Sequence, residues 1–312
     1  MKRLLFAVAI TIAVAAGTAQ AQLKFNPNQV GILHWYKANQ NTTVSVGNGP
    51  QGMAFDGECI WVANAGDGTV TKFQANDGTV LATYNVGSES SGVAYDGANI
   101  WVTSWGSRTV TKLRASDGTV LATVIVSSPA GLAFDGSNIW VANEANNTVT
   151  KLRASDGAVL GTFNVGSAPV NLAFDGANIW VTNYDSNTVS KLRASDGSLL
   201  GTFNAGINPY GLAFDGADIW VANYGSNTVS KLRASDGSLL GTFNVGKNPI
   251  RVFFDAANIW VANYRSDTVT KLRLSDGALQ GTFNVGISPV GLAFDGANIW
   301  VANSSSGTVS KL

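Results

Sequence analysis

A tryptophan returns seven times at nearly constant spacing, at Trp61, Trp101, Trp140, Trp180, Trp220, Trp260 and Trp300, in steps of 40 residues with one step of 39. Each sits in the phrase "AFDGANIWVAN" or a close variant. No other property of the chain constrains its fold as tightly. A unit of about 40 residues copied in tandem cannot bury its apolar surface alone, so neighbouring copies must cover one another.

Turn signals divide each copy into four short segments. From Gly211 to Gly246 they read as a strand "LAF", a turn "DGAD", a strand "IWVAN", a loop "YGSN", a strand "TVSKLRA", a turn "SDGS" and a strand "LLGTFNV". Asp-Gly between β-rich runs signals a hairpin, because glycine accepts the positive φ of tight turns. Val, Ile, Trp, Phe and Thr fill the strands, and no segment carries helical periodicity over three turns. The unit is a four-stranded antiparallel meander. Its second strand alternates Ile and Val on one face with Trp and Ala on the other, so both faces need cover. Each buried Trp or Ile contributes roughly 1.5 to 3 kcal/mol, offset by chain entropy.

The seventh copy reaches Leu312 without an "SDG" turn or a fourth strand, whereas the first copy is preceded by "TTVSVGNGP". There Thr43 to Val46 aligns with the fourth-strand phrase "TFNV". The front strand is therefore expected to pair beside Thr308 to Leu312 and close a ring. These features predict an all-β fold over residues 43–312: a seven-bladed β-propeller of four-stranded antiparallel blades, closed by an N-terminal strand on the C-terminal blade.

Upstream, Lys2 and Arg3 precede an apolar stretch from Leu4 to about Ala16 and then Ala19-Gln20-Ala21. A basic start, an apolar core too short to span a bilayer and an A-x-A site read as a secretory signal peptide over residues 1–21, with a lead segment over 22–42. The expected location is periplasmic or extracellular, with no transmembrane segment after cleavage. Beyond residue 21 there are 18 basic and 20 acidic side chains, a net charge of −2 with histidine neutral. No excess of positive charge exists to neutralise phosphates, so nucleic acid is a poor partner. Cys59 is the single cysteine, which leaves no internal disulfide; an unpaired thiol is favoured over a bond between chains.

"WVTN" at Trp180 to Asn183 and "WVAN" elsewhere, followed by "SNTVSKL" and "FNVGxxP", resemble the YVTN-type propeller repeat, with Trp where that family usually carries Tyr. The resemblance covers about Thr43 to Leu312. It implies a surface or periplasmic propeller and no particular activity. One departure is the third strand, usually apolar then acidic, which here reads "VSKLR" and supplies two cations. Its lysines, Lys72 to Lys311, recur once per copy, as do the acids Asp56 to Asp295 of the "FDG" turns. Sevenfold repetition suits scaffolding: acids capping Asp-Gly turns, bases lying over sheet edges or forming surface pairs of about 0 to 1 kcal/mol.

In an up-and-down blade, the "DGAN" and "SDG" turns share one end. The other end carries the second-to-third loops and the links between blades, and there the copies diverge. That end holds Trp105, Tyr184, Tyr210, Tyr224 and Tyr264, aromatics of the type that anchor interfaces. Asp67, Glu89, Glu144 and Asp185 fall in earlier copies, relieved by Arg108; Lys247, Arg251 and Arg265 fall in later ones, relieved by Asp267. The expected function is a non-catalytic binding scaffold, a monomer whose variable loop face takes a protein, peptide or glycan. Exported propellers also resemble streptogramin lyases and lactonases, which implies the alternative of a metal-dependent enzyme. The only histidine, His34, lies in "GILHWYK" ahead of the repeats and is expected to pack against the ring. No ligand-spaced His/Cys/Asp/Glu cluster appears, so no catalytic residue, cofactor or metal is assigned. A structural envelope or matrix role is the third reading.

Overall fold

A computed structural model of the chain describes residues Thr43–Leu312; the signal peptide, the lead segment and His34 lie outside the described residues. Those residues form 28 strands in seven sheets of four. The short strand β1 (Thr43–Ser45) comes first. Blade 1 is β2 (Pro50–Phe55), β3 (Cys59–Asn64), β4 (Thr69–Gln74) and β5 (Val80–Asn85). Blades 2 to 6 repeat this order; their first strands are β6 (Ser90–Tyr95), β10 (Pro129–Phe134), β14 (Pro169–Phe174), β18 (Pro209–Phe214) and β22 (Pro249–Phe254). Blade 7 is β26 (Pro289–Phe294), β27 (Ile299–Asn303) and β28 (Thr308–Lys311), and β1 supplies its fourth strand.

The seam is antiparallel, with Thr43 opposite Ser310, Val44 opposite Val309 and Ser45 opposite Thr308. Val44 is buried there with Trp300, Ala302 and Val309 of blade 7 and Met53, Ile60 and Phe73 of blade 1. The other joints follow the same rule. Trp140, Ala142 and Val149 of blade 3 pack on Leu172, Ile179, Val181 and Leu192 of blade 4. The alternation in the second strand thus covers one neighbour with Trp and Ala and the other with Ile and Val.

Five joints carry a polar clamp that the sequence reading placed at the surface. Asp175 Oδ1 accepts from the backbone of Ala177 and Asn178, capping the turn, while Oδ2 accepts from Trp180 Nε1 at 2.8 Å. Lys191 Nζ lies 5.0 Å from the Trp180 ring centroid and donates to Ala234 O of the next blade at 2.7 Å. Lys72, Lys112 and Lys151 make the same reach to Ala115, Ala154 and Ala194 at 2.7 Å. Lys72, Lys112, Lys151 and Lys191 are buried. A long apolar stem lets lysine cross the joint, and the Trp face balances its charge. The arginines behave as expected: Arg114–Asp117, Arg153–Asp156, Arg193–Asp196, Arg233–Asp236 and Arg273–Asp276 are exposed pairs across the outer turns. Cys59 is a buried free thiol, which leaves it no access to a second chain.

Two predictions follow from these turns. Six blades place glycine after the turn aspartate at φ between 94° and 100°, but blade 6 places Ala256 there at φ 74°. A Cβ in this region is strained, so Ala256→Gly should stabilise the fold by about 1 kcal/mol and raise the melting temperature by roughly 2 °C; calorimetry showing a lower midpoint would refute this. For Asp96, Asp175, Asp255 and Asp295, desolvation pushes the carboxyl pKa up. Hydrogen bonds from the Trp indole, the Asn side chain and backbone N–H groups outweigh it, and the net shift is downward. Asp117, Asp196 and Asp236 are lowered to about 2, chiefly by hydrogen bonds from Thr119, Ser198 and Ser238. A carboxylate whose folded pKa lies below its unfolded value stabilises above that value and loses the effect as pH falls. Melting temperatures should therefore hold level above about pH 5 and drop between about pH 5 and pH 2. A flat profile to pH 2.5 would contradict the clamp.

Candidate functional site

The seven first strands neighbour one another around the axis, and all seven line one central channel. Its main cavity is about 300 Å³. A smaller one of about 50 Å³ opens beside it toward the variable loops, at the second residue of each first strand: Gln51, Ser91, Ala130, Val170, Tyr210, Ile250 and Val290, all but Ile250 lining it. Larger hollows of about 520 and 690 Å³ lie at blade joints on the opposite end. They are lined mostly by the repeated turn residues, the first, at the joint of blades 7 and 1, adding Glu58, Gln74 and Asn76.

Around the mouth, the backbone is held identically in every blade while the side chain varies. The residue after each second strand donates its N–H to a link residue: Trp105 to Glu89 O, Glu144 to Ser128 O, Tyr184 to Ala168 O, Tyr224 to Asn208 O and Tyr264 to Asn248 O, all at 2.9 to 3.0 Å. Each acceptor has positive φ, between 48° and 55°. On their other side, Asn208 Nδ2 donates to Tyr184 O at 3.2 Å and Asn248 Nδ2 to Tyr224 O at 3.0 Å. Local strain thus serves as a fixed bracket, and the rim position becomes a socket for whatever residue the copy carries.

Three of the candidate residues meet in this frame. Tyr184 and Tyr224 project from the loops of blades 4 and 5, and Tyr210 comes from β18. Their ring centroids are 6.0 Å (Tyr184 to Tyr210), 6.2 Å (Tyr184 to Tyr224) and 6.4 Å (Tyr210 to Tyr224) apart. Thr182 Oγ1 donates to Tyr210 O at 2.6 Å and fixes the strand. Burial raises the Tyr210 and Tyr184 phenol pKa values. Glu144, in a single 3-10 turn over Glu144–Asn146, is exposed by area, yet desolvation raises its carboxyl pKa, with the charge of Asp185 second. Tyr264 and Tyr210 each pack against the buried cluster of the blade 6 to 7 joint.

Other expected residues stand apart. Trp105 is exposed and in no ring contact with the tyrosines. Asp185, Lys247 and Arg265 are exposed. The division into an acidic and a basic side loses Asp67, whose carboxylate accepts from the backbone and side chain of Asn48, and Asp267, which accepts from the Ser288 N–H. Those two carboxylates tie their loops to the links between blades.

Arg251 also leaves the rim. It is the third residue of β22 and lines the channel, as does Asn171, the third residue of β14 two blades before it. In the other five blades this position is glycine, at Gly52, Gly92, Gly131, Gly211 and Gly291. Neighbouring first strands crowd it: a Cβ on Gly211 would lie 2.5 Å from Ile250 O and 2.7 Å from Arg251 Cα. In β22 the bulge comes earlier, between Pro249 and Arg251, so that Arg251 pairs with Ala262; in the other blades the third residue has no such partner. Asn171 was missed by sequence reasoning. Its signal was present: a column of five glycines interrupted twice.

No family model and no curated protein matches the chain. Solved structures do. Hydrazine synthase of Kuenenia stuttgartiensis is 17% identical with a TM-score of 0.77, covering 88% of this chain and 98% of that one. Virginiamycin B lyase of Staphylococcus aureus is 18% identical with a TM-score of 0.75, covering 86% and 97%. A streptogramin B lyase is 18% identical with a TM-score of 0.73, covering 86% and 95%. The chain is a seven-bladed β-propeller. At this level of identity the likeness extends to the fold, since unrelated functions share such architectures.

Proposed function

We propose that this chain is an exported, non-catalytic propeller of the YVTN-repeat type that binds a protein, peptide or glycan at the mouth of its channel. The observation that carries the reading is the tyrosine triangle of Tyr184, Tyr210 and Tyr224, set on a backbone frame common to all blades. Rigid aromatic groups with a polar tip at the edge of a cavity offer contact area at small entropic cost. The apolar start of the chain and its Ala19-Gln20-Ala21 site support export.

A second reading, a metal-dependent lyase, draws support from the fold of virginiamycin B lyase. The described residues do not furnish the donor set: no three of their His, Cys, Asp or Glu side chains come together to hold a metal ion. No metal-dependent step is derived for this chain.

The binding reading is tested by passing an envelope extract over the immobilised mature protein and a Tyr184→Ser/Tyr224→Ser variant. Serine stands at the same rim position in blade 7, as Ser304, so the variant should fold. The expected result is a retained species that the variant loses or holds at least tenfold less. An identical retained set would overturn the proposal.

A further inference from the structure

Arg251 is half-buried and lines both cavities of the channel. Among the described residues its side chain makes no ion pair and no hydrogen bond; the five arginine pairs of the structure all lie on the outer turns. No other residue lining the two channel cavities carries a charge. Burial lowers its guanidinium pKa, and Tyr210 opposes the shift. A partly desolvated, unpaired cation is costly, and proteins ordinarily neutralise one with an acid. Residues 1–42 contain neither aspartate nor glutamate, so no acidic side chain from that segment can fill the role.

The surroundings define what would. One guanidinium offers two parallel N–H donors, a match for a single carboxylate. A dianionic phosphate would call for more positive charge than the channel supplies. Asn171, buried and lining the same channel two blades away, adds amide polarity, and its Oδ1 is already engaged by the Leu172 N–H. Next to these groups the cavity is apolar, with Leu172, Leu212, Phe214 and Phe254 in its wall. Its volume of about 300 Å³ is at the lower limit of ligand pockets.

We infer that the channel is a binding site for a carboxylate borne on a compact apolar group, with Arg251 holding the carboxylate and the leucine and phenylalanine wall taking the apolar body. This rests on the reading of the channel mouth as the binding end and names the ligand chemistry of that site. Two sources share the chemistry: a free organic acid that enters whole, or the C-terminal residue of a peptide whose preceding residues cross the tyrosine rim.

Isothermal titration calorimetry on the full mature protein separates them. The probes are 3-phenylpropanoate, its neutral amide, a short peptide ending in a free leucine carboxylate, the same peptide amidated, and inorganic phosphate. At least one acid should bind tenfold or more tightly than its amide and than phosphate; the acid that does so identifies the source. Arg251→Gly restores the residue found in five sister blades, so folding should survive, and it should weaken the acid at least tenfold. Arg251→Lys should recover part of the loss, since it restores charge without the paired donors. Equal binding of acid and amide, binding of phosphate as tight as of either acid, absence of binding by both acids, or an Arg251→Gly variant within twofold of wild type would each overturn the inference. Extract capture reads the tyrosines and calorimetry reads Arg251. Loss of acid binding with tyrosine-dependent capture intact therefore removes this inference and leaves the proposed function standing.

Discussion

A sheet with apolar residues on both faces has no stable place in water except between two others. Every blade here meets that condition: Trp and Ala of the second strand cover one neighbour, Ile and Val the other. A row of such sheets always leaves two faces bare unless it closes on itself. The three residues of β1 resolve this by completing the blade that β26 to β28 begin, and Val44 fills the last joint. All other structural features, including the width of the channel, follow from a circle that holds seven sheets.

Closure fixes a frame, and the frame separates what repeats from what does not. Lys191 bridges to Ala234 O while lying over Trp180, and Trp180 holds Asp175; equivalents bind successive blades together on the end where the copies agree. On the opposite end, positive-φ link residues pin the backbone of each rim position and leave its side chain unconstrained. The same socket holds an alanine in blade 1, a glutamate in blade 3 and tyrosines in blades 4 to 6. Specific chemistry can therefore change at the mouth with little cost to the joints, a division common to folds whose loops carry function.

Much of the architecture was legible in the sequence because each determinant is local or periodic. Asp-Gly turns, the 40-residue step and the alternation around each tryptophan read directly, and the match of Thr43 to Val46 with a fourth strand foretold the seam. The lysine was misplaced because its partner is a carbonyl about 43 residues away, such as Ala234 for Lys191, reached only across a joint. Arg251 was grouped with Lys247 and Arg265 because they are neighbours along the chain. Which of them turns into the channel depends on a bulge shifted by one residue in β22, a feature set by the approach of adjacent blades. Asn171 and the meeting of Tyr210 with Tyr184 depend likewise on contacts between blades. The glycine column at the third position was the one readable trace of that crowding.

The seam itself is the point at which the account is most exposed. Val44 is buried between two blades, and Thr43 on the same strand is exposed. Chemical denaturation of Val44→Asp, with Thr43→Asp as its control, measures what the seam contributes. The account predicts that Val44→Asp loses more than about 2 kcal/mol and still unfolds in one transition, because a charge buried at the last joint opens the whole circle, while the control changes by less than about 0.5 kcal/mol. Equal stability of the two variants would contradict it.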